Sequence, residues 1–313
     1  MKILCTFISN NFSLLKKYWI EENQKKNGSA FYGTENVRDA GRGGLIIILD
    51  WKSKKVISKR YVLAPRNFLL IKDKIYLPKG NQEVIIITKD LKSILGRLIN
   101  PHFNSLHWIS KSDNGFLFAS SGIDLILETN SKGETLWEWW ATDHGFNKDP
   151  KGRVRVLDKK KNYRKIKFGT LKHSTHLNSV ASVGKTKHFE DTIYCSLFHQ
   201  GDIIAIDKKT GNFKVVLSEL KHPHAIRVIG KKIILSDTEN GKIIITDHNL
   251  KIKKKFKIPN SNWIQDSSIL PNGNILITDS NNNRILEFDQ KNEMIIDSYN
   301  YSKKWKIFSA EAI

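Results

Sequence analysis

The sequence predicts an all-β protein, a six-bladed β-propeller in which the N- and C-terminal strands share the closing blade. The first observation is a repeat: residues 235–247 and 277–289 align, and Asp237 lies 42 residues before Asp279. A period of about 40 residues is typical of a propeller blade. The second observation is that each repeat divides into short apolar or alternating segments, separated by turns of Asn, Gly, Asp and Lys. Such segments favour antiparallel strands.

The repeat can be followed along most of the chain. Two blades end near residues 257 and 300, and three earlier blades are expected at 63–99, 102–141 and 176–220. The last blade is split between the termini. Residues 303–312 align with 261–270, because Trp305 follows Trp263 by 42 residues, and they supply an inner strand. KILCTFIS and GLIIILDWKSKKVISKRYV supply the other three strands, so the ring closes without an open sheet edge and residues 1–313 form a single domain.

Two insertions interrupt the repeat, at about 11–43 and 142–175. The first contains LLKKYWIEENQKK, for which we expect a short helix. The second holds eleven Lys or Arg against two Asp between Lys148 and Lys172, in a chain of net charge +21. Long insertions in a propeller are expected over one face, where they often carry function.

Composition narrows the functional classes. No segment approaches the roughly 20 apolar residues of a membrane-spanning helix, and the N-terminus has no signal cleavage pattern. We therefore expect a cytoplasmic protein rather than a periplasmic or secreted one, with Cys5 and Cys195 as reduced, buried thiols. Nucleic acid is not an expected partner, because aromatic residues are not interleaved with the basic run.

The beginnings of the inner strands carry polar or ionisable residues in five blades. Since inner strands line the central channel of a propeller, these side chains are expected to converge there. They are His107, His176, Asn178, His224, Asp266 and Glu311.

Two chemistries fit this set of channel residues, and the sequence leaves both open. His176 and His224 with Asp266 and Glu311 are candidate ligands for a divalent metal such as Ca, Zn, Fe or Cu. Alternatively, His107, His176 and His224 act directly as nucleophile or general base, because the pKa of imidazole lies near neutrality.

Several strings resemble the arylsulfotransferase-like β-propellers over roughly residues 100–300. They are LPNGNILITDSNNNRILEFD, THLNSVASV, IIAIDKKTGN and GETLWEWWATDHG. The turn motifs also resemble lactonase-like and NHL-repeat propellers, whereas H-x-N-S-V is more specific. The resemblance implies a six-bladed propeller in which a channel histidine takes a sulfuryl group from a phenolic ester and passes it to a second phenol.

Carried over by motif, His176 matches the histidine of H-x-N-S, with His107 and His224 as counterparts on flanking blades. Where the family has S-x-R, this chain has Ser196 to His199, so the sulfate-binding arginine is missing. Where the family often has Gln-His-Asp, this chain has residues 264–266, Ile-Gln-Asp. The expected substrate-binding residues are Asn178, His199, and Arg38 or Arg42 from the first insertion.

Two functional classes follow from these observations. The first is a channel enzyme that performs arylsulfotransferase-like group transfer, or metal-assisted hydrolysis or lysis, on a small anionic substrate attracted by the basic insertion. The second is a non-catalytic scaffold that binds a protein or glycan through that insertion and through Trp137, Trp139 and Trp140. Packing against the next blade is the alternative interpretation of these tryptophans.

Overall fold

A computed structural model describes residues 1–24, 29–30, 43–80 and 82–313. The described residues form six four-stranded antiparallel sheets, which are the blades of a six-bladed β-propeller and confirm the predicted fold.

From the innermost strand outwards, blade 1 contains Lys306–Ala312, Lys2–Ser9, Leu45–Asp50 and Lys55–Tyr61, and blade 2 contains Leu69–Ile71, Lys74–Lys79, Glu83–Thr88 and Ile94–Leu98. Blade 3 contains Leu106–Lys111, Phe116–Ser120, Leu125–Thr129 and Thr135–Trp140, and blade 4 contains Leu177–Gly184, Thr192–Leu197, Asp202–Asp207 and Phe213–Leu217. Blade 5 contains His224–Ile229, Lys232–Asp237, Lys242–Asp247 and Ile252–Lys257, and blade 6 contains Ile264–Ile269, Ile275–Asp279, Arg284–Asp289 and Met294–Asn300.

Blade 1 joins the two ends of the chain as the sequence predicts. Its inner strand, Lys306–Ala312, pairs antiparallel with Lys2–Ser9, so that Ile3 lies opposite Ala312 and Thr6 opposite Ser309. The backbone N–H of Ile313 donates to the carbonyl of Lys2 at 2.9 Å. The ring is therefore closed by backbone hydrogen bonds between the first and last strands.

Each pair of neighbouring blades encloses its own cluster of buried apolar side chains. Leu4 and Ile46 of blade 1 pack with Ile75 of blade 2, and Ile3 packs with Leu276 of blade 6. This arrangement explains the near-continuous apolar runs of the middle strands, since both faces of a blade are covered.

The three tryptophans of the outer strand of blade 3 contribute to these clusters. Trp139 is fully buried against blade 4, with Trp137 packed beside it, while Trp140 packs on the side of blade 2. The two cysteines are free thiols buried in two different clusters.

The repeated Asp-x-x-Asn turns that revealed the period have a structural role. The Asn240 amide donates to both carboxylate oxygens of Asp237 at 3.0 Å, and the Asn282 amide donates to Asp279 at 2.9 Å. Asp279 also accepts from the Arg284 guanidinium at 2.8 Å. Asp and Asn recur in these turns because their short polar side chains satisfy one another and the local backbone.

The insertions contain most of the remaining regular structure. An α-helix, Phe12–Gln24, follows the second strand of blade 1, as expected for this segment. Ser29–Ala30 pairs with Ile166–Lys167 of the second insertion, and three 3-10 helices span Ser121–Ile123, Ala141–His144 and Thr170–Lys172. In the described ranges, no helix combines the length and the apolar character that crossing a bilayer requires.

Glu287 links blade 6 to the closing blade and provides a test of ring closure. Its buried carboxylate accepts from Trp51 Nε1 at 2.8 Å and from the Asn272 and Asn274 amides at 2.8 and 2.7 Å. Burial alone would raise the pKa of Glu287, but these hydrogen bonds hold it below its usual range. Glu287→Gln places an amide N–H against donors, and we expect the free energy of unfolding to fall by about 1–3 kcal/mol.

Urea unfolding followed by tryptophan fluorescence measures this change. The control is Glu190→Gln, because the side chain of Glu190 is 82% exposed and its loss should alter stability by less than about 0.5 kcal/mol. If Glu287→Gln were as stable as the wild type, Glu287 would not stabilise the contact between blade 6 and the closing blade.

Candidate functional site

The inner strands begin around a cavity of about 380 Å³. The described residues that line it include three main kinds of side chain, and none of them is a carboxylate. The cationic side chains are Arg66, Lys167 and Lys306; the imidazoles are His107, His173, His176 and His224; and the aromatic rings are Phe12, Trp19, Phe168, Phe198, Trp263 and Phe308. The structure thus brings together the three histidines that the sequence analysis proposed as catalytic.

Both insertions meet over this cavity. The helix Phe12–Gln24 packs through Leu15 against Ile8 and Phe308 of the closing blade. Ser29–Ala30 pairs with Ile166–Lys167, and the Lys167 ammonium lies 3.8 Å from the Tyr18 ring centroid. The two insertions therefore hold each other in place over the mouth of the channel.

The backbone around His176 is held by a buried carboxylate. Asp124, from the second turn of blade 3, accepts the backbone N–H groups of Ser174, Thr175 and His176 at 2.8, 3.0 and 2.8 Å. Arg155 of the second insertion forms an ion pair with it at 3.1 Å. These contacts hold His176 in the left-handed region, with φ of 51°, a conformation that costs a non-glycine residue free energy and needs such support.

Hydrogen bonds determine which nitrogen of His176 carries the proton. His173 Nε2 donates to the carbonyl of Phe168 at 3.3 Å, so Nδ1 of the neutral His173 ring is an acceptor. The Nδ1 atoms of His173 and His176 are 2.6 Å apart, so His176 Nδ1–H donates to His173. The lone pair of His176 then lies on Nε2, which has no hydrogen-bond partner among the described residues and borders the cavity.

His224 has the same tautomer for a different reason. Its Nδ1 lies 2.8 Å from the carbonyl of His222 and 2.9 Å from Thr238 Oγ1, so this nitrogen carries the proton. Its Nε2 is free of protein partners within the described ranges. The rings of His176 and His224 both contact Phe198, with centroids 5.0 and 5.6 Å from that ring.

His107 is arranged differently because its second nitrogen is occupied. Nδ1–H donates to the carbonyl of Ser105 at 2.7 Å, which leaves the lone pair on Nε2. The Arg66 guanidinium donates to that lone pair at 3.3 Å. His107 was predicted to be one of the reactive histidines. Its hydrogen bonds instead suit a residue that orients Arg66.

Burial keeps the cavity histidines neutral. It is the largest influence on His107 and His176 and holds the pKa of each well below its usual range, with neighbouring charged or titratable groups acting in the same direction. Burial also lowers the pKa of His173 and of His224 to about 3. Neutral imidazoles retain the lone pair that a base or nucleophile needs.

Two buried cations border the same space, and neither has a carboxylate partner in the described part of the chain. Arg66 donates to His107, and its buried Nε atom has no hydrogen-bond partner among the described residues; burial lowers the pKa of Arg66 to about 10. Lys306 is 7% exposed, and burial is the main reason that its pKa falls to about 8. Buried charges are normally paired, so these two groups favour the binding of an anion in the cavity.

Asn178 and His199, the expected substrate-binding residues, lie next to the cavity rather than in its lining. The Asn178 amide donates to the carbonyl of Pro223 at 3.4 Å, and its Oδ1 is buried without a partner. His199 lies 5.8 Å from His176 between ring centroids, and its Nε2 donates to the carbonyl of Thr170 at 3.1 Å. Arg38 and Arg42 lie outside the described residues.

The proposed metal ligands are not brought together as one set. Asp266 forms a bidentate pair with Arg227 at 2.9 and 2.6 Å, and Glu311 accepts from the same guanidinium at 2.8 Å. Burial alone would lower the pKa of Arg227, but the two carboxylates raise it. Arg227 and Glu311 border a separate cavity of about 560 Å³ where the inner strands end, whereas His176 and His224 lie where they begin.

Within the described ranges, no cluster of three or more His, Cys, Asp or Glu side chains has an arrangement suited to a metal ion. The carboxylates of the proposed set differ from the histidines in their surroundings. The two oxygens of Asp266 already accept from Arg227, Ser309 Oγ and backbone N–H groups. Asp266 could therefore bind a metal ion only by breaking these hydrogen bonds.

The basic insertion divides into buried and exposed cations. Arg155 is 7% exposed and pairs with Asp124, and Arg153 pairs with Asp149 at 2.6 Å. Residues 159–161, three consecutive lysines, are exposed. Part of the charge that the sequence analysis assigned to substrate attraction therefore holds the His173–His176 turn.

Several residues of the site were not identified from the sequence, among them Arg66, His173 and Lys306. Arg66 precedes the short inner strand of blade 2, and Lys306 begins the last strand. Each lies near the beginning of an inner strand, as His107 and His224 do. His173 lies three residues before His176, and only the turn around Asp124 makes their rings meet.

The comparisons with known proteins bear on the fold. No family model and no curated protein matches the chain. A protein of unknown function from Bacteroides caccae has 13% identity and a TM-score of 0.61, and the match covers 99% of this chain and 97% of that one. A chain of a nidogen–laminin complex has 9% identity and a TM-score of 0.59, with the same coverage.

Other similar structures are lyases. Virginiamycin B lyase from Staphylococcus aureus has 13% identity and a TM-score of 0.52, over 97% of this chain and 90% of that one. A catalytically inactive histidine-to-alanine variant of that enzyme, bound to quinupristin, has 14% identity over 87% of each chain and a TM-score of 0.52. At these identities the likeness shows the six-bladed propeller fold, whose solved examples include lyases and proteins in protein complexes, and the arylsulfotransferase resemblance remains a prediction.

Proposed function

We propose that the chain is an enzyme in which His176 and His224 act on a small substrate that joins an anionic group to an aromatic body. The observation that carries this proposal is the composition of the cavity. Among the described residues, neutral imidazoles whose Nε2 lone pairs have no partner face the same space as two buried cations, and none of the residues that border this space is a carboxylate. Such a site favours an anion beside a base or nucleophile.

The aromatic side chains that line the cavity support a substrate with an aromatic body. Six aromatic rings border the cavity, and Phe12 and Trp19 come from the helix that covers it. Aromatic rings pack well against an aromatic ligand, and water-poor surroundings strengthen the attraction between Arg66 and an anion. Aryl sulfates, and aryl phosphates as a second choice, combine both features.

The reaction we propose is group transfer through His176. Its Nε2 lone pair attacks the sulfur of an aryl sulfate; an N–S bond forms while the ester S–O bond breaks and the phenolate leaves with that electron pair. A second phenol then attacks the sulfur, its proton passes to Nε2 of His224, and the N–S bond electrons return to His176. Arg66 holds the sulfate oxygens throughout, as positioned donors do for developing anionic charge.

Hydrolysis or lysis is the related alternative on the same groups. In that case Nε2 of His176 takes a proton instead of a sulfuryl group. The inactive histidine variant of virginiamycin B lyase supports this alternative, because it indicates that a propeller of this shape depends on one histidine. The metal-assisted form of the proposal has less support, since Asp266 and Glu311 are engaged by Arg227.

His176→Ala should reduce kcat by about 10²–10⁴-fold, the usual contribution of a group that takes up a proton or the transferred moiety. The assay uses 4-nitrophenyl sulfate as donor and phenol as acceptor, with release of nitrophenolate followed by absorbance. His248→Ala is the control, because its ring bonds the carbonyl of Gly230 away from the cavity. A chelator should leave the wild-type rate unchanged.

Retention of full turnover by His176→Ala would contradict the proposed role. Binding of aryl sulfates by the wild type without any turnover would favour the scaffold function instead. Loss of wild-type activity on chelation, with recovery on adding one divalent ion, would restore the metal-assisted alternative.

His173 should act as a positioning residue for His176. In His173→Asn the side-chain oxygen can take the place of Nδ1 and accept from His176, whereas His173→Leu removes the acceptor at similar size. We expect His173→Leu to lower kcat by roughly 10²-fold with little change in KM, and His173→Asn to recover most of that loss. Nitrogen-15 NMR of labelled histidines reports the tautomer of His176 without any substrate. An unchanged His176 tautomer in His173→Leu would refute the assigned hydrogen bond.

Arg66→Met should weaken the binding of aryl anions selectively. A lost charged hydrogen bond corresponds to roughly a ten- to hundredfold rise in Kd for benzenesulfonate, while benzyl alcohol should bind as before. Isothermal calorimetry measures both ligands. Arg97→Met is the matched control, because the Arg97 side chain is 54% exposed and pairs with Glu83. An equal loss of affinity for both ligands would indicate a collapsed cavity rather than a missing anion contact.

A further inference from the structure

Lys306 lies where lysine is rarely found. It begins the inner strand of blade 1, borders the cavity and is 7% exposed. Its ammonium makes one hydrogen bond, to Asn281 Oδ1 at 3.2 Å, and no carboxylate in the described ranges is within ion-pair distance of it. Lysine is almost never fully buried unless it is paired, so this position needs a functional explanation.

A second ammonium group lies close to Lys306. Lys16 of the covering helix and Lys306 each place Nζ 4.7 Å from the centroid of the Phe12 ring. Burial first, and then the charge of Lys16, lower the pKa of Lys306 to about 8, with Asp279 opposing them. At pH 7 an amine with this pKa is uncharged for about a tenth of the time, whereas the uncharged fraction of an ordinary exposed lysine is about one part in 2,500. A desolvated lysine beside another cation is a known form of activated amine.

Arg66 is a second cation that borders the cavity and can attract an anion. Phe308 follows Lys306 by two residues on one strand, so their side chains lie on the same face. The Arg66 guanidinium lies 5.4 Å from the Phe308 ring centroid. Lys306, Phe308 and Arg66 thus border one cavity, and so do the imidazoles of His107 and His224.

We propose that Lys306 is a nucleophilic amine that forms an imine with aryl 2-oxo acids, whose carboxylate is drawn into the cavity by the charge of Arg66. The Nζ lone pair adds to the ketone carbon, a C–N bond forms and the C=O π electrons move to oxygen. Neutral imidazoles move both protons of the amine nitrogen to that oxygen in turn, and the oxygen leaves as water with the C–O bond electrons as C=N forms. Atoms and charge balance without an oxidant or a metal. The inference goes beyond the proposed function and needs only the cavity, Lys306 and Arg66.

Reductive trapping tests the proposal on the full-length protein. Phenylglyoxylate and sodium cyanoborohydride are added near neutral pH, and peptide mass spectrometry locates the adducts. Lys303 and Lys304 are internal controls, since both are exposed and lie on the same segment. We expect Lys306 to be labelled on the order of a hundredfold faster than either, in line with its neutral fraction. Labelling of Lys306 at the rate of its exposed neighbours would overturn the proposal.

Variants separate this inference from the proposed function. Lys306→Arg keeps the charge and Lys306→Met suits the buried position, and both should abolish the fast adduct. Arg66→Met should slow trapping of phenylglyoxylate but not of benzaldehyde, which has no carboxylate. His176→Ala should keep the adduct while losing aryl sulfate turnover. A fast adduct that survives in both Lys306 variants would place the reactive amine elsewhere and refute the assignment.

Discussion

The pairing of the last strand with the first is the constraint on which the site depends. Because Lys306–Ala312 is the inner strand of blade 1, Lys306 and Phe308 reach the cavity although they lie at the far end of the chain. The strand beside it, Lys2–Ser9, leads directly into the helix that covers the cavity, and Ile8, Leu15 and Phe308 join strand and helix in one cluster. Closure of the ring therefore assembles a wall and the cover of the same site, so that stability of the fold and integrity of the site are coupled.

Much of the fold could be predicted from sequence because the information is periodic. The spacing of Asp237 and Asp279 located the blades, and the alignment of Trp305 with Trp263 located the split blade. The cavity histidines were found in the same way, as polar residues at a repeated position. Arg66 and Lys306 also lie near the beginnings of inner strands, but as cations in a strongly basic chain they carry no distinctive signal. The pairing of His173 with His176 depends on Asp124 and Arg155, which come from other turns, so no local pattern reveals it.

The two carboxylates do not lie beside the histidines, where the repeat predicted them. Asp266 and Glu311 lie on inner strands, as predicted, but a strand extends along the channel and its successive residues reach different depths. Arg227, which also lies on an inner strand, forms ion pairs with both carboxylates where the strands end. The channel is thus divided by charge. Its acidic groups are neutralised at one end, and the other end is left with cations and imidazoles.

That division explains how strong bases and buried cations can share one cavity. Burial and the nearby positive groups together depress the pKa of His107 and His224, so the imidazoles stay neutral beside Arg66 and Lys306. An anion bound to Arg66 reverses the sign of the nearby charge, and an opposite charge within a few ångströms favours the protonated imidazole. The histidines therefore become better proton acceptors when an anionic substrate arrives. A carboxylate built into the wall would have supplied that field permanently and would have competed with the substrate for Arg66, which is a physical reason for its absence from the described lining.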